Sequence, residues 1–226
     1  MCGRFALISD TETLIDEFGV APETLTALPP SVPRYNVAPT QPVAAIRLNP
    51  NKKRELTFFQ WGLIPSWAKD IKMGSRMINA RGETVAEKPS FRAAFKRRRC
   101  IIPADGFYEW QKLSSRKQPM YIHQANGAPF ALAGLWEMWR SPDGDALQTC
   151  TIITTTPNEL MAPIHNRMPV ILEREDFDMW LDPGDCPEQG LHLIRPFPSE
   201  KMAAHPVSTF VNRPINDAPQ CIQPLN

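Results

Sequence analysis

The chain has 226 residues, 42% of them hydrophobic, and a formal net charge of +1. That length and apolar content exclude wholesale disorder and suit one large domain or two small ones. The near-zero charge excludes a generally basic coat for nucleic acid, so any DNA binding must come from a local patch.

In chain order, Phe5 to Ile8 reads as a first strand. Ser9-Asp10-Thr11-Glu12 has the form of a capping box, and Leu14, Ile15 and Phe18 give the helix behind it an apolar face before Gly19 stops it. The Pro-rich stretch from Pro29 to Pro42 reads as a loop, passing through Arg34-Tyr35-Asn36-Val37-Ala38-Pro39. Val43 to Leu48 and Glu55 to Trp61 read as strands around an Asn49-Pro50-Asn51 turn. Ser90 to Arg98 is a short helix. Cys100 to Ile102, Phe107 to Gln111, Met120 to His123, Phe130 to Trp136 and Thr149 to Thr155 follow as strands, and Leu160 to Ile164 as a helical turn. Val170 to Leu172 is another strand, Arg174 to Leu181 a helix, and a last strand falls near His205 to Val211. Strands at hairpin-like spacing outnumber helices, which predicts a mostly antiparallel α+β domain. With 24 prolines, short elements and ordered loops are expected rather than a helical bundle.

No basic segment leads into an apolar one at the N-terminus, and no apolar run has the length of a membrane span, so an intracellular, soluble protein is expected. The five cysteines, Cys2, Cys100, Cys150, Cys186 and Cys221, are odd in number and scattered, with no C-x-x-C. The four histidines, His123, His165, His192 and His205, lack ligand spacing, so neither a metal nor a disulfide framework is expected. The run Lys96-Arg97-Arg98-Arg99 ends a helix and reads as a solvated face favoured by the helix dipole.

Cys2 follows Met1 directly. A small second residue favours loss of Met1, which leaves Cys2 with a free α-amine of pKa about 7.7–8.0 beside a thiol near 8.5. Only an N-terminal Cys offers this 1,2-aminothiol, which condenses with an aldehyde to a Schiff base and then closes a five-membered thiazolidine. Gly3 permits close approach of a ligand, and Arg4 sets a permanent cation beside the nucleophile, suited to a phosphate.

Seven motifs then occur in order: Met-Cys-Gly-Arg-Phe; Arg34-Tyr35-Asn36-Val37-Ala38-Pro39; Trp61-Gly62-Leu63-Ile64-Pro65-Ser66-Trp67; Ile78-Asn79-Ala80-Arg81-Gly82-Glu83-Thr84; Ile102-Pro103-Ala104-Asp105-Gly106-Phe107-Tyr108-Glu109-Trp110; Ile164-His165-Asn166-Arg167-Met168-Pro169-Val170; and His205-Pro206-Val207-Ser208. Together they resemble the SRAP (SOS response-associated peptidase) family, the abasic-site processing proteins, over almost the whole chain. The resemblance implies one domain spanning 1–226, with a bifurcated, barrel-like, mostly antiparallel β-sheet surrounded by short helices. It implies Cys2 as the crosslinking residue, Asn79 as the holder of its amine, Glu109 as the nearby acid and His165 as the proton carrier at the deoxyribose. Arg4, Asn36, Pro39, Trp67, Arg81, Thr154 and Arg167 are implied to line a groove for single-stranded DNA; where some relatives carry a second aromatic after Trp67, this chain has Ala68.

The chemistry matches those residue types. Opening a closed abasic sugar needs a general acid/base, for which His is the natural choice near pH 7. Loss of water on the way to a Schiff base is assisted by a carboxylic acid, and a neutral Asn orients an amine without locking it as ammonium. The expected product is a covalent thiazolidine crosslink between Cys2 and the abasic aldehyde, with lyase or reversal activity and a peptidase activity that removes Met1. The expected partner is abasic single-stranded DNA, and the expected protein is a nucleoid-associated monomer that needs no cofactor. Two other readings stand beside this one. Class II glutamine amidotransferases also begin Met-Cys-Gly, but their downstream Gly-His-x-Arg signature is absent here; a non-catalytic single-strand-binding module is the other.

Overall fold

The computed structural model describes residues 2–24, 32–182, 184 and 186–225. The chain enters through β1 (Phe5–Leu7) and turns into α1 (Thr11–Phe18). The helix is capped one residue later than the Ser9-to-Glu12 box predicts. Asp10 Oδ1 accepts from Thr13 N–H at 2.8 Å, while Ser9 is engaged by Asp105, whose Oδ1 takes the Ser9 hydroxyl at 2.5 Å. Gly19, at φ 61°, ends it in the left-handed region, as expected.

The presumed loop from 29 to 42 holds a strand instead. Residues 25–31 lie outside the described residues, but Arg34–Val37 forms β2, antiparallel to β1. Then come β3 (Pro42–Leu48), β4 (Arg54–Trp61), β5 (Asn79–Arg81), α2 (Arg92–Arg97), β6 (Arg99–Ala104), β7 (Gly106–Lys112) and β8 (Lys117–Gln124). The chain continues through β9 (Phe130–Arg140), β10 (Ala146–Thr155), β11 (Met168–Pro169), β12 (Ile171–Leu172), α3 (Phe177–Leu181) and β13 (Met202–Pro206). The last strand therefore ends where sequence placed its beginning, and Thr209–Asn212 is a 3-10 turn. The strand expected at 170–172 is β12, preceded by the unforeseen β11; Val170 stands between them, donating to Ile153 O at 2.8 Å and accepting from Ala133 N–H at 2.9 Å.

Two sheets result. One is antiparallel throughout, in the order β13-β8-β7-β1-β2. In the other, β4, β3, β6, β9 and β10 pair in succession and β10 returns to β4, closing a five-stranded barrel. Only the β10–β4 and β10–β5 pairings are parallel among the described residues. The α+β, barrel-like and mostly antiparallel architecture expected from sequence is what the chain adopts.

Pleat alternation divides the core. Val43 and Ala45 of β3 join Phe5, Trp61, Phe107 and Ile122 in a cluster shared by barrel and sheet. Their neighbours Ala44 and Ile46 join Phe18, Phe95 and Trp180, the apolar faces of the three helices. A third, smaller cluster of Ala6, Tyr108, Tyr121, Val207, Val211 and Cys221 packs the C-terminal segment against the back of the five-stranded sheet.

The Trp61-to-Trp67 segment is fixed by backbone contact. Gly62 stands at φ 132°, and a Cβ there would lie 2.6 Å from Gly74 O; a Cβ on Gly74 would lie 2.7 Å from Gly62 O. Gly62 N–H donates to Cys150 O at 2.8 Å and Ile64 N–H to Thr149 Oγ1 at 2.9 Å. Ala68 is buried, and its carbonyl accepts from Trp139 Nε1 at 2.7 Å. This anchoring leaves Trp67 itself 58% exposed.

Gly62→Ala is therefore expected to destabilise by more than about 2 kcal/mol, from forbidden φ and backbone clash together. Gly127→Ala, at φ 81° with open space around it, meets only the backbone term and should cost about 1–2 kcal/mol. Urea unfolding of the two variants compares them; equal losses would contradict the close-approach argument.

Candidate active site

The lead-in to β1 is held against β7. Phe5 pairs with Phe107 and Ala6 with Gly106, and Tyr108 N–H donates to Arg4 O at 2.9 Å. Cys2 thus arrives beside β7 fully buried, among Phe5, Trp61 and Phe107. Alternation along β7 sends Phe107 and Glu109 to one face and Tyr108 to the other. Glu109 consequently points inward and is only 3% exposed, not the solvent-facing strand residue that Glu usually is.

Asn79 comes from a strand beside the barrel. It opens β5, which runs parallel to β10 with Asn79 opposite Ile152 and Arg81 opposite Thr154. Its Nδ2 donates to the Cys2 carbonyl at 2.8 Å, and its Oδ1 is buried with no donor among the described residues. His165 ends a turn in which its own N–H donates to Met161 O at 2.8 Å, and Asn158 Oδ1 caps Met161 N–H at 2.9 Å. His165 Nδ1 lies 3.1 Å from the Arg167 nitrogen and 3.3 Å from the Arg167 carbonyl oxygen, so the Arg167 backbone holds the ring in either tautomer. The other ring nitrogen, Nε2, lies 3.9 Å from Glu109 Oε2.

Electrostatics follow burial. Desolvation raises the Glu109 carboxyl above its ordinary range, and His165 opposes the rise. Burial pushes the Cys2 thiol well above its usual value, and the Glu109 carboxylate adds to the push. The four residues sequence assigned to catalysis thus converge at the seam between the two sheets: Cys2 on Asn79, Glu109 on His165, and Glu109 within electrostatic reach of the thiol.

The residues assigned to the strand groove divide. Trp67 and Arg81 are exposed, and Pro39 is half-buried in the turn after β2. Arg4 is half-buried with Nη1 donating to Asn36 Oδ1 at 2.8 Å and to Val211 O at 2.9 Å. Asn36 is fully buried, its amide donating among the carbonyls of Val211, Arg213 and Asn216, so it anchors Arg4 and the C-terminal segment rather than facing solvent. Thr154 is also fully buried; its carbonyl and hydroxyl accept from Arg167 Nη2 at 2.6 and 3.2 Å. Arg167 meets Glu83 through both carboxylate oxygens, at 2.5 and 3.0 Å. Sequence reasoning passed over Glu83 and Asp217. Asp217 receives Arg34 Nε at 2.5 Å and the Tyr35 and Asn36 N–H groups at 2.5 and 3.0 Å. Glu83 was visible in its motif beside Arg81, whereas nothing local marks Asp217.

Among the described residues no three His, Cys, Asp or Glu side chains gather as they would around a metal ion, and no helix is long and apolar enough to cross a membrane.

Comparison with known proteins gives a consistent picture. The profile of the family described as SOS response associated peptidase (SRAP) matches residues 1–214. The chain is 48% identical over 227 residues to the abasic site processing protein YoqW of Bacillus subtilis, covering 99% of each. It is 38% identical over 196 residues to the abasic site processing protein HMCES of Xenopus tropicalis, covering 76% of this chain and 58% of that protein. In structure it matches a crystallised protein of Bacteroides thetaiotaomicron with a TM-score of 0.87 at 28% identity, over 100% of both chains.

The raised Glu109 carboxyl carries a stability signature. A group whose folded pKa lies above its unfolded value, about 4.3 for Glu, stabilises the fold fully below that value and loses the contribution as pH rises through the folded one. Glu109→Gln, neutral at every pH, is therefore expected to melt above the parent at pH 8, with the gap closing towards pH 4. Thermal melts across that range check it; a variant less stable than the parent at pH 8 contradicts the assignment.

Proposed function

The chain belongs to the SOS response associated peptidase family, and from that membership and the seam around Cys2 we propose that it processes abasic sites, capturing them covalently in single-stranded DNA. The observation that carries the reading is the meeting of Cys2 with Asn79 and with the Glu109–His165 pair at one buried seam. Removal of Met1, by the protein's own peptidase activity, gives Cys2 its α-amine. Asn79 Oδ1, buried without a donor among the described residues, is then an acceptor for that amine.

The steps balance. His165 takes the proton from the sugar's anomeric hydroxyl and returns one to the ring oxygen, opening the hemiacetal to the aldehyde. The amine adds to the carbonyl carbon, giving a carbinolamine. Glu109, held protonated more readily by burial, donates to the departing hydroxyl, and water leaves an iminium. The Cys2 sulfur attacks the iminium carbon, its proton passes to the Glu109 carboxylate, and the thiazolidine closes with Glu109 restored. Run backwards, the same transfers release the strand intact; from the iminium, transfer of a C2′ proton to the Glu109 carboxylate with departure of the 3′-phosphate is the lyase-type branch. Burial among Phe5, Trp61 and Phe107 keeps bulk water from the iminium.

Trp67 supplies a stacking face that tolerates any base, Arg81 and Arg167 contact phosphates, and Pro39 borders the groove. Arg4 acts from its perch on Asn36, and Thr154 positions Arg167. The protein works as a monomer on DNA in the nucleoid.

The test is direct. Mixed with a uracil-containing single strand treated with a uracil glycosylase, the wild type is expected to give a denaturant-resistant adduct. Cys2→Ala should give none, and Glu109→Gln should form it about a hundredfold more slowly. A residue inserted between Met1 and Cys2 should abolish the ring-closed product although the thiol remains. An adduct of equal yield from Cys2→Ala overturns the reading, and glutaminase activity without adduct would point to an N-terminal-nucleophile hydrolase.

A further inference from the structure

Arg167 does not wait with an open fork. Its two terminal nitrogens meet the two oxygens of Glu83 at 2.5 and 3.0 Å, the bidentate geometry that Arg also offers a phosphate. The two ends of this pair are held very differently. The Arg167 side chain is 15% exposed and is separately fastened to the Thr154 carbonyl at 2.6 Å, so it stays in place without Glu83. The Glu83 side chain is 49% exposed. Its backbone is pinned by the preceding residue, since a Cβ on Gly82 would lie 2.2 Å from Ile194 and 3.2 Å from Thr154 O. Only the flexible side chain of Glu83 is left to move. Arg81, exposed on the adjoining strand, attracts the same carboxylate and offers it a second station.

We propose that Glu83 is a carboxylate gate on Arg167: it occupies the fork that a strand phosphate takes and swings off when the strand seats. This rests on the reading of Arg167 as a phosphate contact. A phosphate and a carboxylate cannot share one fork without like-charge repulsion, so the strand must displace Glu83 to gain Arg167. The gate lowers affinity for any passing single strand. Retention then depends more heavily on capture at Cys2, and the gate favours damaged over intact DNA.

Glu83→Gln keeps the shape and removes the charge. It is expected to bind an intact single-stranded oligonucleotide about threefold to tenfold more tightly at low salt. Its log K against log salt should fall more steeply by about 0.7, because no carboxylate is freed to take up a cation when the phosphate takes the fork. Arg167→Gln should bind more weakly than wild type, and adding Glu83→Gln to it should change nothing further. Fluorescence anisotropy across a salt series reads all four proteins. Weaker or unchanged binding by Glu83→Gln, with Arg167→Gln still impaired, overturns the gate and makes Glu83 a buttress of Arg167. Undiminished binding by Arg167→Gln removes the phosphate contact itself, and the gate with it.

Discussion

The hydrogen bond from Asn79 Nδ2 to the Cys2 carbonyl, 2.8 Å long, is where the two sheets of this protein are aligned at the site. Asn79 opens a strand, and Cys2 stands in the short lead-in to one. Cys2 is set by the pairing of β1 with β7, and Asn79 by the pairing of β5 with β10. The placement of the Glu109 carboxyl relative to the Asn79 amide therefore follows sheet registers, which resist distortion far better than connecting segments do, and Cys2 follows the strand it leads into. His165 is the exception. It stands on a turn, and its orientation is restored locally by Met161, Asn158 and the Arg167 backbone.

Burial gives the seam its electrostatics and also its cost. Cys100 and Cys150 are as deeply buried as Cys2, and burial raises all three thiols. The thiol alone therefore does not distinguish Cys2. What does is a carboxyl buried nearby and an amide across the seam, two polar groups that a purely apolar core would not hold. Glu109 among apolar neighbours costs stability, and the fold tolerates it because His165 and the hydrogen-bonded backbone around β7 are already in place.

The elements legible in the sequence are those whose signal is local. The hairpin of β3 and β4 was readable from alternation and Asn49, whose side chain accepts from Asn51 and Lys53 N–H. Glu109 and His165 were legible only through the joint order of motifs, since each alone reads as an ordinary residue. What escaped is held by distant partners. β2 reads as loop in the sequence because its N–H groups are organised by Asp217, 181 positions from Asn36. β5 is three residues long and exists because β10 lies beside it. The capping box failed at Ser9 because Asp105, 96 residues on, claims that hydroxyl. Asn36, assigned to the groove, sits at full burial because the C-terminal segment folds over it, which no pattern around residue 36 reveals.

The arginines show why charge in a sequence does not by itself mark a binding surface. In the run Lys96-Arg97-Arg98-Arg99, Arg98 pairs with Glu137 at 2.7 Å and Arg99 is 2% exposed, so the solvated face reduces to Lys96 and Arg97. Arg99 donates to the carbonyls of Phe95 and Pro187 and lies over the rings of Phe95 and Trp180, with burial bringing its pKa down to about 10. Those carbonyls are part of the fold and cannot leave, so Arg99 is a pin between α2, α3 and the barrel. Arg4 is intermediate, with Nη1 on the amide of Asn36 and the carbonyl of Val211 and its guanidinium 5.8 Å from the Trp110 ring. Arg167 alone of the three pairs with a carboxylate, that of the half-exposed Glu83. In the proposed gate, the exchangeability of that partner, more than the exposure of the guanidinium, is what would separate Arg167 from the arginines that hold the protein together.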